Sequence, residues 1–171
     1  MSPILGPALG VMILLSVQAQ DNPQYEYWAS CKPGSWVKHR MEFDNQGKKM
    51  EYESITRLLE VTPEKVVVET LRRMKTGDKS IDSPPQKSEI KAKEIPPGKT
   101  ITEKDEEITL SGKTLKCRYY EVETESADKK TKTLVKSWMT KEIPGGAGKS
   151  EVTSPQLKGP VSVTALEWEK K

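Results

Sequence analysis

Residues 142–150 read EIPGGAGKS and end in Gly-Lys-Ser, as a phosphate-binding loop does. In such a loop glycine amides cradle phosphates, the lysine reaches them and the serine holds a magnesium ion. The pattern G-x-x-x-x-G-K-[ST] needs glycine at its first position, and counting back from Gly148 puts Ile143 there. The loop must also open a helix, whose first amides hold the phosphate. Here EVTSPQLKGP follows, with Pro155 and Pro160 and no helical period. The stretch reads instead as a turn between strands. Pro144 sets one φ angle, and Gly145, Gly146 and Gly148 allow positive φ. No nucleotide site is expected.

Other reactive residues are few. His39 is the one histidine, and no serine is singled out as its partner for nucleophilic catalysis. Zinc needs more nitrogen or sulfur ligands than His39, Cys31 and Cys117 supply at workable spacing. Cys31 and Cys117 are the two cysteines, and no C-x-x-C is present. Two cysteines in an exported chain invite a disulfide, which would close a loop of about 86 residues; the alternative is that Cys117 is a buried thiol beside Leu115 and Tyr119. Glu51 with Glu53, and Glu121 with Glu123, share strand faces at i, i+2. Facing carboxylates about 5 to 9.5 Å apart can cleave glycosides, but in a chain with 25 acids such pairs are the usual dress of a solvated face. Trp36, Trp138 and Trp168 fall in separate strands and read as sheet packing. Catalytic residues, metal ligands and a cofactor are therefore not assigned.

The elements that must position these residues show the period of two expected of half-buried strands. In residues 35–44 Val37, His39, Met41 and Phe43 alternate with Lys38, Arg40, Glu42 and Asp44. Residues 50–61 and 65–74 return after turns at NQGKK and TPEK, giving a three-strand meander. Pro84-Pro85 and Pro96-Pro97 mark residues 80–104 as loop or edge, with one short strand in SEIKAKEI. A hairpin around Ser111-Gly112, a strand over 131–140 and a last strand from Val161 complete about eight strands. No helix is expected after the first 20 residues. The fold class is all-β: a curved antiparallel sheet, as a half-barrel, a barrel or a small sandwich.

The net charge of +3 from 28 basic and 25 acidic residues provides no nucleic-acid footprint. Leu, Ile, Val and Phe make up only about a sixth of residues 21–171, below roughly a fifth, so the core is thin. Residues 1–20 carry no charge and hold a short apolar run, Leu9 to Val17, before VQAQ. That is the plan of an export signal helix, cut after Ala19 or Gln20, although no basic residue precedes the run. The run is shorter than the roughly 20 residues of a membrane span. Residues 21–171 then form a single β-rich domain, periplasmic or secreted, with no transmembrane span.

Three segments, KPGSWVKHRMEF, SGKTLKCRYYEVE and SWMTKEIPGGAGKSE, resemble uncharacterised exported bacterial proteins. In these a Gly-Ser-Trp-Val opens the first strand and a Trp precedes a late Pro-Gly-Gly hairpin. The resemblance implies a half-barrel-like domain, similar to periplasmic carriers of lipoproteins, and carries over no site residues. The resulting expectation is a non-enzymatic domain that binds a lipid-like ligand or an envelope protein on the apolar face of its sheet. A structural protein without a small ligand is the alternative, and a hydrolase ranks below both.

Overall fold

The computed structural model describes residues 19–45, 48–76, 79–94, 98–125 and 131–171. Nearly all of the signal segment, residues 1–18, lies outside them, as do Pro96-Pro97. In chain order the elements are β1 (Gln20–Asp21), α1 (Pro23–Ala29), β2 (Trp36–Asn45), β3 (Lys48–Val61), β4 (Lys65–Thr76), β5 (Lys79–Asp82), β6 (Gln86–Lys91), β7 (Lys93–Glu94), β8 (Lys99–Leu110), β9 (Lys113–Glu125), β10 (Lys132–Met139), β11 (Ala147–Thr153) and β12 (Val161–Glu169).

The main sheet is antiparallel and runs β5-β4-β3-β2-β12-β11-β10-β9-β8, with β6 also on the free side of β4. β5 pairs with residues 73–76 of β4 and β6 with residues 65–70. Pro84 and Pro85 fall in the break between them, as expected for residues that cannot donate to a ladder. The first and last long strands, β2 and β12, pair in the middle, so the two ends of the path are β5/β6 and β8. These do not pair with each other, which rules out a closed barrel and leaves one open sheet. The short β1–β7 pair forms a separate two-stranded ribbon.

Among the described residues twelve strands replace the eight expected, because β1, β5 and β7 are too short to show a period and β11, with Gly148, Lys149 and Ser150, holds too few apolar residues to show one. The expected absence of a helix is also corrected. α1 has seven residues, too few for a period of 3.6 to register. Its cap is nonetheless written in the chain: Asn22 accepts from the Gln24 amide at 3.0 Å and Pro23 opens the helix.

Register puts alternate residues on two faces. Val37, Thr56, Leu58 and Val68 face one way, and Lys38, Arg40, Glu51, Glu53 and Lys75 the other. The core lies at one end of the first face, where Trp28 of α1 meets Val37, Leu58, Val66 and Val68. Leu110, Leu115 and Cys117 of the β8–β9 hairpin, the latter two on the strand face of Tyr119, join the same cluster with Ile143 and Ala165. That hairpin turns through Ser111 and Gly112, with φ of 49° and 77°. Two consecutive positive φ values make the tight turn whose twist matches paired strands.

The opposite face departs from simple solvation at one residue. Glu53 is 7% exposed, walled in by Lys75 at 3.0 Å, Lys38 at 3.5 Å and Arg40 at 3.9 Å. The hydrogen bond from Lys75 is the main reason its carboxyl titrates below the ordinary range. Glu51 joins the same network through Arg40 at 3.2 Å and Lys75 at 3.6 Å. Replacing Glu53 with Ala strands three cations together, and is expected to cost about 1–2 kcal/mol. Urea denaturation measures this; a cost below about 0.3 kcal/mol would show the network to be neutral.

Candidate ligand-binding hollow

Two recesses lie against the core-bearing face. The first, of about 340 Å³, is lined by Val37 and His39 of β2, Thr56 of β3, Val68 and Thr70 of β4 and Ile90 of β6. The second, of about 480 Å³, is lined by Thr100, Tyr120, Val122, Ser137, Met139 and Ser150 of β8 to β11. Both share Gln24, Gly145 and Ala147. Strands from the two halves of the sheet thus reach the same three residues, so the sheet curls and this face is its inner one. Each recess falls in the size range of small-molecule pockets.

α1 and the turn before β11 close one end of this hollow. Tyr25 donates its hydroxyl proton to the Thr62 carbonyl at 2.7 Å, which ties α1 to the β3–β4 connection. The Gly146 amide donates to Ile143 O at 2.9 Å across Ile143, Pro144, Gly145 and Gly146. Proline second and glycine third, the latter at φ 75°, is the signature of a type II turn. The expected turn at Pro144, Gly145 and Gly146 is therefore present, and it also receives the rings of α1. A Cβ on Gly145 would lie 2.5 Å from Cε2 of Trp28, and one on Gly146 would overlap Tyr27. Gly148 does not share this role. It lies in β11 without positive φ, and a Cβ there would press on Leu110 and Ile108 at 3.2 and 3.3 Å. Gly148, Lys149 and Ser150 thus run along a strand instead of opening a helix. Lys149 pairs with Glu151 at 2.8 Å and covers the Trp138 ring at 4.8 Å.

Away from the core end, the inner face stays open. Val163, Met41, Tyr52, Met74 and Ile81 are in register across β12, β2, β3, β4 and β5. A second row joins Val122, Val135, Val152 and Val161 across β9 to β12. Phe43 stacks on Tyr52 at 5.5 Å between them. None of these residues is buried; Met41 is 40% exposed and Ile81 58%. No second layer covers them among the described residues. Met41, Met50, Met74 and Met139, all the methionines among those residues, belong to this face. The alternation in residues 35–44 points to this face, but its extent over five strands depends on register.

His39 stands on the hollow's wall, on the strand face it shares with Val37. Its Nε2–H donates to Ala147 O at 2.8 Å, and burial pushes its pKa below 6.5. In the unfolded chain the ring returns to about 6.5. Between the two values the unfolded chain holds the extra proton, so stability falls as pH drops through this window. Melting temperature is expected to decline from pH 7.5 to 5.5 more steeply in the native protein than in His39→Gln. Equal slopes would remove His39 from the account.

The disulfide expectation is corrected. Cys31 and Cys117 are both buried free thiols of one core cluster. The Cys31 thiol donates to Tyr27 O at 3.4 Å inside the first turn after α1, and that of Cys117 lies 3.8 Å from Leu115 O on β9. Burial pushes the Cys117 thiol up to about 11, so little thiolate forms. No cluster of histidine, cysteine and acid suited to a metal occurs among the described residues. Glu121 and Glu123 sit with Tyr119 on the outer face, where Glu123 pairs with Lys132 at 2.9 Å. The tryptophans pack: Trp138 lies 5.1 Å from Tyr119 and donates to Glu106, and Trp36 donates to Glu169 at 3.1 Å.

No family model, curated protein or solved structure matches the chain. No helix among the described residues is long and apolar enough to cross a membrane.

Proposed function

We propose that this chain is an exported, non-enzymatic β-domain that holds a lipid-like ligand in the hollow of its curved sheet. The carrying observation is the open apolar inner face: two in-register rows, none of their residues buried, continuous with a recess of about 480 Å³ at Val122. A contiguous apolar surface of this kind on a folded domain marks a place for a ligand or partner. Four methionines on it suit an apolar chain of variable shape, since the thioether is flexible and polarizable. Export rests on the pattern of residues 1–20 and agrees with the resemblance to exported bacterial proteins. A non-enzymatic role is favoured because His39 is committed to Ala147 O and the paired glutamates stand on the outer face in ion pairs.

Native mass spectrometry of the protein purified from the cell envelope, followed by organic extraction, tests the reading. The expected result is a co-purifying apolar mass that organic solvent removes. An apo mass, together with failure of an apolar fluorescent dye to bind, would turn the reading to an envelope protein seated on the same face. In-cell crosslinking from Met41 would then identify that partner.

A further inference from the structure

A row of polar residues crosses the inner face. Ala165, His39, Ser54 and Arg72 are in register across β12, β2, β3 and β4. Met74 stands two residues after Arg72 on β4 and Thr70 two residues before it, so the row lies between the methionine row and the smaller recess. On β2, β3, β4, β6, β10, β11 and β12 the other described side chains of this face are apolar, hydroxyl, amide or imidazole groups. Arg72 is their one fixed charge. It is exposed, and no carboxylate pairs with it among the described residues. The neighbouring arginines differ. Arg73, on the outer face, is held by Asp82 at 2.7 Å, and Arg118 of β9 by Glu103 at 2.8 Å and Asp105 at 2.9 Å. Ser54, directly opposite Arg72, is half-buried, and its hydroxyl has no hydrogen-bond partner among the described residues. Ser83 holds the backbone in place, its amide and hydroxyl donating to Arg72 O at 2.8 and 3.2 Å. An apolar layer laid over this row buries the guanidinium without a partner, unless it brings an acceptor with it. The guanidinium fork matches a carboxylate or a phosphate, and the serine hydroxyl is a further donor.

We infer that the ligand is a single-chain amphiphile with an anionic head, a carboxylate or a phosphate, that pairs with Arg72 and accepts from Ser54. Its chain runs along Met74, Tyr52 and Met41, the adjacent row of the same face. This inference rests on the proposed function, and its test separates the two.

The probes are laurate, dodecyl phosphate and monolauroylglycerol, equal in chain length, each used below its critical micelle concentration at pH 8. Intrinsic tryptophan fluorescence or calorimetry of the full protein provides the affinities. At least one anion is expected to bind about tenfold more tightly than the glyceride, and the tighter anion identifies the head. Arg72→Gln is expected to shrink that lead to less than about threefold and to leave the glyceride affinity within about twofold. Arg57→Gln removes an exposed, unpaired charge from the outer face and is expected to leave the lead unchanged. The glyceride binding as tightly as both anions, a lead that survives Arg72→Gln, or an equal loss in Arg57→Gln overturns the head-group inference and leaves the apolar site standing. Failure of all three to bind overturns the apolar site itself.

Discussion

Gly145→Ala is expected to destabilise the protein by about 2 kcal/mol more than Gly112→Ala. The two glycines have nearly the same φ, 75° and 77°. Each alanine therefore meets a similar backbone penalty, about 1–2 kcal/mol for an L residue in the left-handed region. Each also gains the same small amount from a stiffer unfolded chain. They differ in what the new methyl meets. At Gly112 nothing lies within 4 Å. At Gly145 the methyl falls on the Trp28 indole, which is 3% exposed and anchors α1 to the core. The indole must move or the turn must open, and either loosens the end of the hollow. Urea denaturation of the two variants compares them directly, and Trp28→Phe in the Gly145→Ala background should recover part of the loss. Equal costs at the two positions would mean that the turn needs its glycine for φ alone.

Val135→Asp is expected to weaken binding of an apolar dye at least tenfold, while Leu134→Asp changes it less than about twofold. The residues are adjacent on β10 and similarly half-buried, but they face opposite ways. Val135 stands between Val122 and Val152 on the inner face, and Leu134 beside Glu123 on the outer. A carboxylate on the inner face must stay hydrated, so an apolar chain laid across it leaves that charge without solvent. The penalty exceeds the 1.4 kcal/mol that a tenfold loss represents. Both variants put a poor strand former at the same place in the ladder, so their melting temperatures should fall together. Dye titration alone separates them. Equal loss from both variants, or from neither, would remove the inner face from the binding account.

Each structural signal in the sequence reaches only a limited distance along the chain. The long strands were legible because period-two alternation is local, as in Val37, His39, Met41 and Phe43 of β2, and because turn residues bound β3 and β4. The Ser111-Gly112 hairpin and the Pro144-Gly145-Gly146 turn were legible because proline and glycine set backbone angles wherever they stand. β1, β5 and β7 were missed, since strands of two to four residues are made by the partner they meet. α1 was missed although Asn22-Pro23 is a helix start, because seven residues hold too few turns to show an apolar stripe. The burial of Glu53 leaves no local signal, because Lys75, which helps to wall it in, lies 22 residues away on β4. The pairing of Cys31 with Cys117 failed as an expectation because cysteine number and compartment say nothing about the direction in which each thiol points.

The sequence by itself determined an all-β chain, the faces of its long strands, two of its turns and the absence of a phosphate loop. Each of these depends on a residue and its near neighbours. Only the tertiary structure decided that β2 and β12 pair while β6 and β8 do not, which leaves the sheet open. It also decided that α1 fills one end of the hollow and that β1 pairs with β7 about 70 residues on. These depend on contacts between segments far apart in the chain, where register and curvature choose the partner and no local pattern records the choice.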